Sequence, residues 1–190
     1  MTGDPFMNPG SDFDRFLEKL SDEEKNTLVL EEKVDFMSRV AVDNLYEKAS
    51  GIYVSEKGPA LLALTAHRDP RCTELALEFM DDENLDLKSF GIKAAVILKD
   101  YILVEKLEDL LLDTSASIRI KAVNALVQIN CSGLSSKLSV VLNDPVWFVR
   151  EKLASLLAVS GLAPKLLEQL HADPNANVRK ASFFSRAAGL

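Results

Sequence analysis

The sequence contains few of the residues that interrupt helices or build sheets. Among 190 residues there are eight Gly and seven Pro, and aromatic residues make up 7%. This scarcity, beside abundant Leu, Ala, Lys, Glu and Asp, favours helices. No stretch reaches the roughly 20 uncharged apolar residues of a membrane span, and the N-terminal segment lacks a signal-peptide pattern. We therefore expect a soluble, cytoplasmic, all-α protein.

Cysteine and histidine are also scarce, which limits the possible chemistry. Cys72 and Cys131 lie in apolar helical patterns without a neighbouring His, so we expect buried thiols rather than metal ligands. His67 and His171 are far apart and belong to no HExxH or His-Glu pair. There is no Gly-rich phosphate loop and no nucleophile elbow. We predict no enzymatic activity, no catalytic residue, no metal and no cofactor.

One spacing recurs through the second half of the chain. Aspartates stand 31, 31 and 29 residues apart, and each is followed six residues later by a cation that has an apolar residue before it. The aspartates are Asp82, Asp113, Asp144 and Asp173, and the cations are Lys88, Arg119, Arg150 and Arg179. Self-similarity at a fixed period is the signature of a repeat architecture.

Each repeat contains two amphipathic helices joined by a turn at the aspartate. Apolar residues at helical spacing predict a first helix with Leu134, Leu138, Val141 and Leu142 on one face, and a second helix with Ile118, Ala122, Ala125, Leu126 and Ile129. Neither helix buries its stripe alone, so successive pairs are expected to stack. We expect each cation to bond the turn aspartate of its own or the adjoining unit, forming a structural ladder of the eight residues above.

The turn before residue 150 illustrates the local signals. Asp144 can cap the turn or the following helix, Pro145 fixes φ at its entry, and Gly161 suits the left-handed conformation that ends helices. Trp147 could stack on a base or a chromophore. Because the same column holds Leu85, Ala116 and Ala176, we expect Trp147 instead to cover the adjacent turn.

The segments DTSASIRIKAVNAL, DPVWFVREKLASLL and DPNANVRKASFFS resemble HEAT repeats, in particular the short HEAT-like type first described in phycobilisome lyases. The resemblance covers residues 82–190 and is weaker over 51–81. It implies an α-solenoid with an N-terminal helical cap. HEAT-like arrays serve as scaffolds, adaptors, chromophore-handling accessory proteins and, more rarely, enzymes, so the resemblance is specific for architecture and not for activity.

The domain organisation follows from these patterns. We predict a flexible leader at 1–10, an acidic helical cap at 11–50 with a capping box at Ser21–Glu24, and a repeat array at 51–190. The predicted units are 51–81 (degenerate), 82–112, 113–143, 144–172 and a half repeat at 173–190. Adjacent Phe183 and Phe184 point about 100° apart on a helix, so we consider both self-association through this end and packing back of the last helix.

Charge is distributed unevenly. Residues 1–112 hold 13 Lys/Arg and 24 Asp/Glu, whereas residues 113–190 hold 9 and 5. Such asymmetry can steer a charged partner, although solvated helix faces also produce it. The pI of about 4.9 and the lack of long Lys/Arg runs argue against nucleic acid.

The expected function is that of a non-enzymatic scaffold or adaptor. We expect its concave face to bind an acidic or amphipathic segment of another protein through Lys93, Lys121, Asn124, Lys152, Ser155 and Phe184. One alternative is an accessory protein that holds a tetrapyrrole-like small molecule, which the lyase-type resemblance implies. A third possibility is a DNA-binding or glycosylase-type protein, because certain DNA glycosylases are built from HEAT-like repeats.

Overall fold

The computed structural model describes residues 41–183, and every regular element in that range is a helix, which confirms the all-α class. The chain divides into two compact units, residues 1–71 and 72–190. The predicted leader, most of the predicted cap and Phe184 lie outside the described residues. Within the described range, no helix is both long enough and apolar enough to cross a membrane.

In the first unit, residues 41–50 are helical and α1 spans Val54–Ala66. Arg71 holds the described part of this unit together. Its guanidinium donates to Asp43 (2.9 Å) and to both carboxylate oxygens of Asp69 (2.9 and 2.7 Å), and it lies 4.1 Å from the centroid of the Tyr46 ring. The hydrogen bonds from Arg71 keep the pKa of Asp69 below its ordinary value.

The second unit consists of successive helical hairpins over the described range. Their first helices are α2 (Cys72–Asp81), α4 (Tyr101–Asp109), α6 (Leu134–Leu138) and α8 (Pro164–Leu170). Their second helices are α3 (Leu85–Leu98), α5 (Ala116–Ile129), α7 (Trp147–Ser160) and α9 (Ala176–Ser182). Each second helix packs on the second helix of the next hairpin, so α3 contacts α5, α5 contacts α7 and α7 contacts α9.

The ends of the second helices repeat as regularly as the aspartates do. Lys99, Asn130 and Gly161 follow α3, α5 and α7, and all three adopt the left-handed conformation, with φ of 55°, 51° and 70°. In each case the backbone N–H donates to a carbonyl four residues earlier, which closes the last turn. The prediction for Gly161 is confirmed, and the two non-glycine residues occupy the same position of the repeat.

The predicted stripes supply the core of the second unit. Ile118, Ala122 and Leu126 are fully buried on α5, as are Leu153 and Leu157 on α7. The prediction of one α-helix through Leu142 is wrong. The α-helix ends at Leu138 and Ser139–Asn143 forms a 3₁₀ helix, as Leu110–Leu112 does after α4. Leu142 is only half-buried. Successive side chains are rotated further about the axis in a 3₁₀ helix than in an α-helix, so Leu142 leaves the buried stripe.

The close approach of α2 and α3 depends on one glycine. A Cβ atom on Gly91 would lie 2.7 Å from the carbonyl oxygen of Ala76 and 2.9 Å from Cγ of Met80. Both helices are regular here, so neither backbone has a nearby hinge through which to withdraw. Gly91 therefore fixes the separation of the two helices in the first hairpin of this unit.

Candidate functional site: the ladder and the second-helix face

The turn aspartates share one local geometry. In each turn, carboxylate oxygen Oδ1 accepts a hydrogen bond from the backbone N–H two residues further on, at 2.7 or 2.8 Å. The four pairs are Asp82 with Asn84, Asp113 with Ser115, Asp144 with Val146, and Asp173 with Asn175. This side-chain-to-backbone bond replaces the turn's missing backbone acceptor and orients each carboxylate.

The arginines connect one turn to the next. Arg119 donates from Nη1 to the carbonyl of Asp113 (2.8 Å) in its own turn, and from Nε and Nη2 to the Asp144 carboxylate (2.6 and 2.9 Å) in the following turn. Arg150 repeats this pattern, with Asp144 behind it (2.6 Å) and Asp173 ahead of it (2.7 and 3.0 Å). Each guanidinium thus bonds two successive turns, and its bidentate contact with the carboxylate fixes the orientation of one turn relative to the other.

The ends of the ladder are less complete. Lys88 makes a single 2.5 Å ion pair with Asp113, because an ammonium has no fork. Arg179 donates back to the carbonyls of Asp173 (2.6 Å) and Pro174 (2.9 Å). Within residues 72–183, Asp82 keeps its turn hydrogen bond but has no ion-pair partner.

The internal rungs of the ladder are buried. The side chains of Arg119 and Asp144 are 9% and 4% exposed, and those of Arg150 and Asp173 are 11% and 4% exposed. Hydrogen bonds from Arg150 lower the pKa of Asp173. For Asp113, burial opposes ionisation, but the hydrogen bonds from Lys88 and a backbone amide outweigh it and lower the pKa. These carboxylates are charged and already satisfied, so the internal rungs favour a structural role over a ligand site.

The predicted binding residues lie on the second helices, at two positions of the repeat. Lys121 and Lys152 stand two residues after the ladder cation, and Lys93, Asn124 and Ser155 stand five residues after it. Lys93 is exposed, with its ammonium 5.0 Å from the centroid of the Phe90 ring. Lys152, Asn124 and Ser155 are half-buried. These residues lie along one face, which we call the second-helix face.

Lys121 has a structural bond that the sequence did not reveal. Its ammonium donates to the hydroxyl of Ser89 at 2.5 Å, and that hydroxyl in turn donates to the carbonyl of Leu85. Lys121 therefore ties α5 to α3, in addition to presenting charge on the second-helix face. No sequence signal pointed to this bond, because the positions equivalent to Ser89 in the other repeats hold Ile120, Glu151 and Lys180.

An exposed aromatic pair adjoins this face. Trp147 and Phe148 are 41% and 42% exposed and meet edge to face, with centroids 6.0 Å apart. Together with Glu151, Asn177, Lys180 and Ala181 they line a shallow groove between α7 and α9. Phe148 was not singled out from the sequence, although it shares the second-helix face with Lys152, four residues later.

The remaining candidates from the sequence have modest roles. His171 follows α8, where its Nε2 lies 3.2 Å from the carbonyl of Ser182 and its ring stacks on Phe183 at 4.3 Å. Cys72 is buried, but the expectation of burial is wrong for Cys131, which is only half-buried in the exposed loop after α5. Over residues 41–183, no three His, Cys, Asp or Glu side chains converge as a metal site would require.

Comparisons with known proteins do not assign this chain to a family. No family model matches it, and no curated protein resembles it closely enough to count as a match.

Proposed function

We propose that residues 82–190 form an α-solenoid of HEAT-like hairpins that acts as a non-enzymatic scaffold, binding another protein on its second-helix face. The observation that supports this most strongly is the ladder. Arg119 and Arg150 of the ladder pair with the buried carboxylates, which are therefore not available to a ligand, and these pairs hold successive hairpins side by side. The lysines and the exposed aromatic residues of the adjoining face then remain available for a partner.

The chemistry of this face favours an acidic, amphipathic segment as the partner. Lys93 and Lys152 supply positive charge, and Phe148 and Trp147 supply exposed aromatic surface beside it. Tryptophan is among the residues that dominate the binding energy of protein interfaces. Complementary charge would speed association with a negatively charged partner and fix its orientation.

The test distinguishes an effect of charge on this face from an effect of the net charge of the protein. Lys93→Glu and Lys152→Glu reverse charge on the face, whereas Lys165→Glu reverses an exposed charge on α8, a first helix. Lys121 is left intact, because substituting it would also remove its bond to Ser89. A loss of binding could then not be distinguished from a loss of packing.

A protein retained by the wild-type chain would be identified by mass spectrometry, purified and titrated calorimetrically against each variant. We expect the two face variants to raise Kd at least about tenfold, equivalent to about 1.4 kcal/mol, and Lys165→Glu to leave it unchanged. Equal Kd values for all variants would overturn the assignment of the face. Retention of a tetrapyrrole with visible absorbance, in place of any protein, would support the accessory-protein function instead.

A further inference from the structure

The last hairpin that the structure describes leaves unused a contact that the hairpins before it make. Arg119 and Arg150 each direct Nε and Nη2 at the carboxylate of the next turn. Arg179 is held in the same way from behind, through Nη1 and the carbonyl of Asp173. Among residues 72–183, however, no carboxylate pairs with it. A half-buried guanidinium is thus oriented toward a position where the repeat predicts an aspartate.

A second position of the repeat gives the same indication independently. Four residues after the ladder cation, Ile92, Val123 and Ala154 are 4%, 0% and 0% exposed, each on a second helix that packs on the next one. The equivalent residue is Phe183, at the C-cap of α9, which is 65% exposed although one side of its ring stacks on His171. Removing an exposed aromatic ring from water is favourable, so this position favours a covering helix.

The opposite end of the ladder offers the complementary group. Asp82 has the turn geometry of the other ladder aspartates but, within residues 72–183, no cation. The surrounding charge is also complementary. Residues 72–112 hold 4 Lys/Arg and 10 Asp/Glu, whereas residues 144–190 hold 6 and 4. Opposite net charges would steer these two ends together.

We propose that copies of this chain associate head to tail, with Arg179 of one copy binding the Asp82 carboxylate of a second copy. The α2–α3 hairpin of the second copy then covers Phe183. This inference does not depend on the proposed function, because it uses the end of the row of helices and not the second-helix face. A contact between two different surfaces leaves one surface of each kind unoccupied, so association is open-ended and does not stop at a dimer.

Sedimentation velocity of the full chain, over about a hundredfold range of concentration, tests the proposal by mass action. We expect the average mass to rise with concentration and to pass that of a dimer. Asp82→Asn removes the charge but retains the oxygen that accepts from the Asn84 amide, and it should raise Kd at least about tenfold. Phe183→Ser should do the same from the other surface. Glu83→Gln, the same change at the adjacent exposed residue, is the matched control and should associate like the wild type.

Mixing two variants, each altered on one of the two surfaces, tests the head-to-tail contact most directly. Asp82→Asn keeps a functional Arg179 and Arg179→Gln keeps a functional Asp82, so the two variants together should form a heterodimer and nothing larger. Circular dichroism of each variant establishes that both remain folded. A wild-type chain that stays monomeric throughout the range would overturn the proposal, as would association of Asp82→Asn equal to that of Glu83→Gln, or growth that ends at a dimer in the wild type.

Discussion

Replacing Arg119 by methionine is the most informative perturbation of the ladder. Methionine retains much of the aliphatic volume but removes the three hydrogen bonds that join Arg119 to Asp113 and Asp144. It leaves the Asp144 carboxylate 4% exposed and without its counter-charge. Breaking a buried ion pair from one side typically costs about 3–5 kcal/mol, because an uncompensated charge stays buried. We expect Arg119→Met to lose stability in this range.

The assay is urea unfolding, followed by helical circular dichroism and by the fluorescence of Trp147, the single tryptophan. Trp147 opens α7 three residues after Asp144, so it reports on the affected turn. For an m-value of about 2 kcal/mol per molar urea, the midpoint should fall by roughly 2 M. The double variant Arg119→Met/Asp144→Asn should recover part of this loss, because asparagine is neutral and still accepts from the Val146 amide.

An exposed ion pair provides the control. Lys106 pairs with Asp81, whose side chain is 65% exposed, so Lys106→Met should cost no more than about 1 kcal/mol. A structural role for the ladder would be refuted if Arg119→Met were no more destabilising than Lys106→Met. It would also be refuted if the added Asp144→Asn change lowered stability further.

Two further predictions concern packing and pH. Gly91→Ala should cost about 1–3 kcal/mol in the same urea assay, since its Cβ would overlap the Ala76 carbonyl, and an unchanged midpoint would contradict the close approach of α2 and α3. Because hydrogen bonds from Arg150 lower the pKa of Asp173 in the folded state, its stabilisation is complete above the ordinary aspartate pKa of about 3.9 and is lost as pH falls through the lower folded value. The free energy of unfolding of the wild type should therefore exceed that of Asp173→Asn by a constant amount from neutral pH to about pH 5, and by less below pH 4. An excess that stays the same down to about pH 2 would count against the Arg150–Asp173 pair.

The sequence predicted the features of this chain that are local. The aspartate and cation positions place the turns correctly. In a turn, an aspartate carboxylate accepts a hydrogen bond from the backbone amide two residues later, and this contact is local in the sequence. Gly161 marks a left-handed helix end for a similar reason. The stripes on α5 and α7 identify core residues because helical spacing alone decides which side chains share a face.

Other features depend on how the hairpins stack and could not be read from one unit. The pairing of Arg119 with the carboxylate of the following aspartate, and not with that of its own turn, is set by the separation of neighbouring turns. The bond from Lys121 to Ser89 joins residues 32 positions apart. The change from α-helix to 3₁₀ helix after Leu138 also has no clear sequence signal, because apolar residues at this spacing satisfy either geometry over one turn.

The separation between equivalent positions of successive hairpins tests the central claim most directly. Spin labels would be placed at residues 93, 124 and 155, all five residues after a ladder cation, in a chain whose two native cysteines are replaced and whose helix content is checked. Because packed helices lie about 8–10 Å apart, dipolar broadening of the continuous-wave electron paramagnetic resonance spectrum should give a 93–155 distance roughly twice the 93–124 distance. A 93–155 distance equal to or shorter than the 93–124 distance would contradict the stack of hairpins on which the whole account depends.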